Sequence, residues 1–144
     1  MDMQTLADRL EINDLLTRYA HSVDSKNWTL YRSVFTDDAF IDYESAGGIK
    51  GTREEVADWL EKTMAGFPMT QHLISNIDVT IKGDAASVRA MFYNPMGMPS
   101  GKTFWCGGFY NHSLVRTSDG WKSQRLIEES SWFDRAAEAM GQED

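Results

Sequence analysis

The residues best suited to proton transfer near neutral pH are His72 and, far from it in the sequence, Asp24. His72 and Asn76 are an even number of residues apart in a segment that reads as a strand, with Ile74 between them. Even spacing in a strand places side chains on one face. A face of histidine, isoleucine and asparagine suits the wall of a half-apolar pocket. A neutral histidine held by a carboxylate is a suitable general base.

Asp24 follows an amphipathic helix predicted over residues 3–23, whose apolar side chains recur at steps of three and four. It continues the line of Leu16 and Ala20 and therefore points toward the buried side. The helix dipole disfavours a carboxylate at this end, and a protonated histidine or an arginine would remove the difficulty. We hypothesise that Asp24 faces His72 across a pocket. The alternative is an exposed aspartate in the turn 24–27.

The order of predicted elements indicates an α+β fold. About three helices come first, with a short strand over residues 40–44 among them, and four longer strands follow. These four strands are predicted over residues 70–82, 85–94, 103–117 and 121–133. Gly107-Gly108 predicts a bulge or bend in the third of them. We expect a bent antiparallel sheet whose helices close a conical cavity, as one domain over residues 1–135, with a frayed tail over 136–144.

Composition excludes several classes of partner and chemistry. The net charge of −8 and the pI of about 4.8 argue against nucleic acid and against an anionic membrane surface. No segment has the roughly 18 apolar residues of a membrane span, and the start of the chain does not read as a signal peptide. The single Cys106 excludes an internal disulfide and lacks the motif of a nucleophile. We expect a cytoplasmic protein with no metal site and no cofactor.

A set of residues spread over most of the chain resembles a known family. They are Tyr19-Ala20, Asp24, Trp28, Phe35, Asp38-Ala39, Gly51, Trp59, Gln71-His72-Leu73, Asn76, Gly108, Tyr110, Arg116-Thr117 and Asp119-Gly120-Trp121. In this order and spacing they are similar to the SnoaL-like branch of the nuclear transport factor two-like superfamily. Within it the chain resembles the scytalone dehydratases, bile acid 7α-dehydratases and hexachlorocyclohexane dehydrochlorinases. The resemblance implies a cone-shaped α+β barrel and an Asp–His proton-abstracting pair at Asp24 and His72.

The resemblance also implies residues that bind substrate. Tyr43 matches a tyrosine that helps bind substrate in scytalone dehydratase, and Tyr19 matches one in the bile acid enzyme. Arg125 lies where the family often carries a pocket arginine. Asn94 stands near the place of a second pocket histidine or aspartate, and Val23 replaces the tyrosine that precedes the aspartate in scytalone dehydratase.

Other roles remain open for several candidates. Tyr43 is equally suited to the core, Arg125 to an ion pair with Glu129, and Asn76 to strand-end backbone groups. Trp28 and Trp105 are candidates for an apolar lining of the pocket.

Two classes of function follow. The first is a cofactor-independent lyase, a dehydratase acting on a cyclic, mostly apolar, hydroxylated small molecule through the Asp–His pair. A ketosteroid-isomerase-like enzyme would use the same base but return the proton elsewhere. The second is a non-catalytic module that binds a small molecule or a partner. We expect a homo-oligomer in either case, because a bent sheet with an apolar outer face needs cover; the resemblance favours a trimer over a dimer.

Overall fold

A computed structural model of the protein describes residues 1–134 of the 144. Within that range the helices are α1 (Met3–Asp24), α2 (Trp28–Ser33) and α3 (Arg53–Met64), with a short 3₁₀ turn at Glu44–Ala46. The strands are β1 (Phe35–Asp42), β2 (Lys50–Thr52), β3 (Met69–Thr70), β4 (Leu73–Lys82), β5 (Ala85–Gly97), β6 (Thr103–Thr117) and β7 (Gly120–Asp134). The frayed tail predicted for residues 136–144 lies outside the described residues.

The strands form one strongly curled sheet with the order β2-β1-β7-β6-β5-β3, and β4 pairs with β5 as well. Helices α1 and α3 pack on its concave side, so the predicted α+β fold is confirmed. The described strand pairs are antiparallel as predicted, except that β1 and β7 pair in parallel. Helix α3 and five strands lie between these two in the chain, so no hairpin forces them to run in opposite directions.

Local sequence sets the helix positions that matter for the site. The Asp2 side chain caps α1 by accepting a hydrogen bond from the Thr5 backbone N–H at 2.8 Å. One face of α1 is buried along most of its length, which directs its last residue, Asp24, toward the sheet. Helix α3 begins with a capping box formed by Thr52 and Glu55.

The bend predicted at Gly107-Gly108 is confirmed by a register shift between β6 and β7 at this point. A Cβ atom on Gly108 would collide with the backbone carbonyl oxygen of Glu129. The close approach of the two strands therefore requires glycine. It helps curl the sheet around the space beneath the helices.

Two predicted boundaries are wrong in ways that affect the site. Strand β1 begins at Phe35, five residues before the start predicted for the short strand over residues 40–44. The strand predicted over residues 70–82 is interrupted at Gln71 and His72. At the interruption the His72 backbone N–H donates to the Asp24 carboxylate at 2.8 Å instead of to a neighbouring strand. A side-chain acceptor thus competes successfully with the sheet.

Candidate active site

Asp24 and His72 meet where the end of α1 faces the break between β3 and β4. The Asp24 Oδ1 atom lies 2.6 Å from Nδ1 of His72, and Oδ2 accepts the His72 backbone N–H. Oδ1 also accepts a hydrogen bond from the Thr70 hydroxyl at 2.8 Å. The carboxylate therefore holds His72 at two points, its ring and its backbone, and is itself held by Thr70. The hydrogen bond hypothesised from the sequence is present, and the alternative of an Asp24 exposed in the turn is wrong.

The environment of Asp24 favours the ionised carboxylate. Burial acts to raise its pKa, but the hydrogen bonds and charge of His72, together with the Thr70 hydroxyl, outweigh burial and leave the pKa below its usual value. A carboxylate at Nδ1 favours the tautomer with its proton on that nitrogen. Among the described residues, none forms a hydrogen bond with the other ring nitrogen, Nε2. The His72 side chain lines a cavity.

The cavity has a volume of about 300 Å³ and lies between the concave face of the sheet and helices α1 and α3. Its wall is mostly aromatic and aliphatic, with a few polar side chains, as in small-molecule sites. The apolar members include Val23, Trp59, Leu60, Met64, Phe67, Phe92, Met96, Phe104 and Phe133. The polar members include Tyr19, Tyr43, Thr63, His72, Asn94, Tyr110, Glu128 and Ser130.

Three tyrosine hydroxyls form a buried chain at one wall of the cavity. The Tyr43 hydroxyl lies 2.6 Å from that of Tyr19 and 2.9 Å from that of Tyr31. Burial raises the pKa of all three well above the usual value, so they remain neutral hydroxyls at physiological pH. Tyr19 and Tyr43 line the cavity as the resemblance implied, while Tyr31 supports them from behind. Tyr43 is thus part of both the pocket and the core.

Asn94 also lines the cavity and is 4% exposed. Its Nδ2 atom lies 3.9 Å from the Cys106 sulfur, and within residues 1–134 its Oδ1 atom has no hydrogen-bond partner. A buried acceptor of this kind is suited to a donor on a ligand. Burial raises the pKa of Cys106 to about 11, so its sulfur is a neutral thiol.

Glu128 is a site residue that the sequence reasoning missed. It lies on the inner face of β7, directly opposite Tyr110 on β6. The signal that could have revealed it is the alternation of Leu126, Glu128 and Ser130, in which an acidic residue follows a core leucine on the same face. Burial raises the pKa of Glu128 to about 7, and the nearby Asp42 contributes in the same direction.

The structure places two polar candidates outside the cavity. Asn76 is exposed and has a φ of 50°, because β4 contains a bulge between Ser75 and Asp78. Ile77 packs against the core instead, so the predicted face shared by His72 and Asn76 is wrong. Arg125 is exposed on the opposite face of the sheet.

The guanidinium of Arg125 lies 4.8 Å from the Phe40 ring centroid. Glu129, its other suggested partner, binds Arg89 at 2.8 Å. Both interpretations of Arg125, as a pocket residue and as the partner of Glu129, are therefore wrong. A register shift between β6 and β7 beside Arg125 changes which residues of β7 face inward.

The two tryptophans proposed as lining residues are also outside the cavity wall. Trp28 is buried in the core, where its ring packs edge-on against Tyr31 with a centroid distance of 5.8 Å. Trp105 lies between Phe104 and Cys106, which both face inward, so strand alternation directs it to the other face. Aromatic character alone did not reveal which face these residues occupy.

The described residues contain no cluster of three or more histidine, cysteine or acidic side chains arranged to hold a metal ion. A search of the same residues finds no helix long and apolar enough to cross a membrane.

Comparison with known proteins agrees with this fold. The chain is 36% identical over 130 residues to Rv2910c, an uncharacterized protein of Mycobacterium tuberculosis, covering 89% of this chain and 88% of the relative. The crystal structure of the Kfla4162 protein from Kribbella flavida is 32% identical, with a TM-score of 0.85 and coverage of 94% of this chain and 98% of that one.

A hexachlorocyclohexane dehydrochlorinase, LinA-type3 from Novosphingobium barchaimii, is 20% identical with a TM-score of 0.81 and 92% coverage of both chains. At this identity the likeness concerns the fold alone. The profile of the SnoaL-like domain matches residues 4–127. The chain therefore belongs to the SnoaL-like domain family.

Proposed function

We propose that the protein is a cofactor-independent lyase that eliminates water from a cyclic, mostly apolar, hydroxylated small molecule. The observation that carries the proposal is the Asp24–His72 pair, with a 2.6 Å hydrogen bond at the wall of an apolar cavity. The similarity of fold to a dehydrochlorinase, an enzyme named for an elimination, supports the same class of reaction.

His72 would act as the general base. With Nδ1 held by Asp24, Nε2 can remove a proton from a substrate carbon next to a carbonyl group. The carboxylate then stabilises the imidazolium that forms, as aspartate does in hydrolase triads. Thr70 keeps the carboxylate oriented by its own hydrogen bond. The lowered pKa of Asp24 keeps the carboxylate charged through this step.

The tyrosine chain would stabilise the enolate that forms when the proton leaves. A neutral hydroxyl aimed at developing negative charge in a dry site is an effective hydrogen-bond donor. Tyr31 and Tyr43 are both buried, so their hydroxyl dipoles do not need to reorganise against water. The free Oδ1 of Asn94 would accept a hydrogen bond from a substrate hydroxyl. A ring compound with a carbonyl and a hydroxyl group fits these contacts and the 300 Å³ cavity.

The test uses bicyclic and tricyclic β-hydroxy ketones as probes, with formation of the conjugated enone followed by absorbance. Wild type should form enone and water, and His72→Ala should reduce kcat/KM by about 10²–10⁴, the usual contribution of a positioned acid–base group. His21→Ala is the matched control, because His21 lies on α1 and is exposed. Binding can be followed separately, since ligand at about 100 times its Kd stabilises a protein by roughly 2.7 kcal/mol.

The outcomes separate the candidate functions. With a β,γ-unsaturated ketone as an additional probe, a shift of the double bond into conjugation without turnover of the hydroxy ketones would assign the isomerase reaction to the same base. A ketone that binds wild type and His72→Ala equally well and is recovered unchanged would refute the lyase and favour a binding module.

Self-association and location belong to the same proposal. Several large apolar side chains are exposed toward one end of the sheet, namely Met69, Leu73, Met91, Tyr93, Trp132 and Phe133. Their burial between subunits would supply a favourable contact, and we propose a homo-oligomer, with a trimer favoured over a dimer. Sedimentation of a monomer at micromolar concentration would contradict it. The cytoplasmic location stays a prediction, as does the boundary of the domain at residue 135.

A further inference from the structure

Glu128 is a buried carboxyl group in the cavity, and the proposed elimination has not yet given it a role. Glu128 is 9% exposed, and its side chain extends from β7 on the concave side of the sheet. Among the described residues, the Ser130 hydroxyl donates to its carboxyl group at a long 3.4 Å, and the nearby Ser45 hydroxyl also acts to lower its pKa. No described lysine, arginine or histidine forms an ion pair with it. A carboxyl group buried in this way without a cation is costly when ionised.

The groups around Glu128 do not compensate for its charge. The titratable groups around it include the hydroxyls of Tyr19, Tyr31, Tyr43 and Tyr110 and the thiol of Cys106, all of which stay neutral. Asp42 on β1 is acidic and opposes ionisation. The Ser45 hydroxyl donates at 2.9 Å to the backbone carbonyl oxygen of Glu128, and its effect on the pKa of the carboxyl group is smaller than that of burial. Burial raises the pKa to about 7, so both protonation states are accessible near neutral pH.

We propose that protonated Glu128 is the general acid of this site, and that it gives its proton to the oxygen atom that leaves the substrate. The inference rests on the proposed function and makes it more specific, since it identifies the leaving group as oxygen. Hydroxide is too basic to depart readily and needs a proton as the carbon–oxygen bond breaks, whereas chloride departs without one. A protonated carboxyl group in the cavity is therefore useful to a dehydratase and unnecessary to a dehydrochlorinase.

The step balances with the groups that are present. His72 takes the proton from the carbon next to the carbonyl group, and the electron pair of that carbon–hydrogen bond passes to the carbonyl oxygen as the enolate. The pair then returns to form the new carbon–carbon double bond. The carbon–oxygen bond breaks, its electron pair goes to the oxygen, and the Glu128 proton joins that oxygen to form water. The imidazolium of His72 then loses a proton to solvent and the Glu128 carboxylate gains one, which restores both groups.

The experiment compares two probes that share one ring and differ in the leaving group, a β-hydroxy ketone and the matching β-chloro ketone. Glu128→Gln keeps the size of the side chain and removes the acid. We expect kcat for the hydroxy ketone to fall by about 10²–10⁴, with KM nearly unchanged, and kcat for the chloro ketone to fall by less than about tenfold. His72→Ala should lower turnover of both probes. Glu129→Gln is the matched control, since Glu129 is the next residue, exposed, and on the opposite face.

A second readout is the pH profile of wild type with the hydroxy ketone. Turnover should decline as the pH rises through about 7, where Glu128 loses its proton, and this decline should be absent with the chloro ketone.

The outcomes distinguish this inference from the function beneath it. Equal losses with both probes in Glu128→Gln would overturn the role of Glu128 while the elimination of water stands. Turnover of the chloro ketone alone by wild type would overturn the role of Glu128 and the loss of water, and would leave only an elimination of chloride. Turnover of neither probe would overturn both. Titration of carbon-13-labelled glutamate by NMR, with Glu128→Gln assigning the signal, gives an independent test. A Glu128 carboxyl group that stays ionised from about pH 5 to about pH 8 would also overturn the inference.

Discussion

Helix α1 carries a hydrogen-bonded carboxylate near each of its ends, and the two sit in different surroundings. Near the start, Asp8 binds the guanidinium of Arg116 through both oxygens, at 2.7 and 2.9 Å, and also accepts a hydrogen bond from the indole N–H of Trp121. At the end, Asp24 binds His72 and Thr70. Both carboxyl groups have a pKa below the usual value.

The difference lies in the partner. Arginine stays charged at every physiological pH. The ion pair of Asp8 and Arg116 therefore connects α1 to the sheet but contains no group that exchanges a proton near neutral pH. Histidine can gain and lose a proton near neutral pH, and a second nitrogen of its ring is left for the cavity. Asp8 and Asp24 are both aspartates with a lowered pKa. Asp8 stabilises the fold at the start of α1, whereas we propose that Asp24 supports catalysis at its end. A lowered pKa alone does not mark an active site.

Glu128 extends the comparison to a third carboxyl group, whose pKa is raised rather than lowered. Asp8 and Asp24 are buried together with donors, while Glu128 is buried with almost none. The three carboxyl groups are expected to respond differently to substitution and pH.

The largest effect is expected for Asp24→Asn. The amide has nearly the same shape but removes the charge and the fixed tautomer of His72, so kcat/KM for any probe that wild type converts should fall by about 10²–10⁴. Asp8→Asn should leave kcat/KM within a few-fold of wild type, measured below its unfolding temperature. Similar catalytic losses in the two variants would break the distinction between the two ends of α1.

The second effect concerns Glu128 and the free energy of unfolding. Because the folded pKa of about 7 lies above the ordinary 4.5, the protonated group favours the folded state below pH 4.5, and this contribution is lost as the pH rises through 7. The loss amounts to about 3 kcal/mol, because a pKa that is higher by about 1 in the folded state than in the unfolded state corresponds to about 1.4 kcal/mol of stability. Glu128→Gln should abolish this dependence and be the more stable protein at about pH 8. Urea unfolding at several pH values across this range measures it, and parallel curves for the two proteins would contradict the raised pKa.

Asp8 should show the opposite dependence. Its folded pKa is lowered, so its contribution is present above the unfolded value of about 3.9 and is lost as the pH falls below that. Asp8→Asn should therefore have a lower Tm than wild type at about pH 7, and this difference in Tm should shrink in acid. Calorimetry at both pH values measures it. Arg116→Met should also lower Tm near neutral pH, since it leaves Asp8 buried without its cation. A Tm difference that is constant from neutral pH to about pH 3 would show that charge is not the cause.

The smallest effect is expected for Arg125→Ala. The residue is exposed outside the cavity, and among the described residues its guanidinium stacks on Phe40, a contact worth about 0.5–1 kcal/mol at such sites. Turnover should be unchanged and Tm should fall by a few degrees at most. A large loss of activity would restore Arg125 to the site and contradict the position of this strand.

Much of the fold could be predicted because it follows from local patterns. Amphipathic spacing identified α1 and α3, period-two alternation identified the long strands, and the glycine pair identified the bend in β6. The pairing of Asp24 with His72 was also accessible, since a carboxylate on the buried side of a helix end requires a partner. The predictions that failed concern whether a side chain faces into or out of the sheet near a bulge or a register shift. The bulge at Asn76 and the register shift beside Arg125 each change the face of the residues that follow, and neither has a strong local signal.

The sequence by itself determined the helices, most of the strand positions and the residue types available for proton transfer, because these depend on spacing along one segment. Only the tertiary structure decided which of those residues share a cavity. Strand register and the curl of the sheet place Glu128 beside Tyr110. Packing also brings together Tyr19 of α1, Tyr31 of α2 and Tyr43, the residue that follows β1. The same packing also sets burial, and burial decides whether a carboxyl group such as Glu128 keeps its proton.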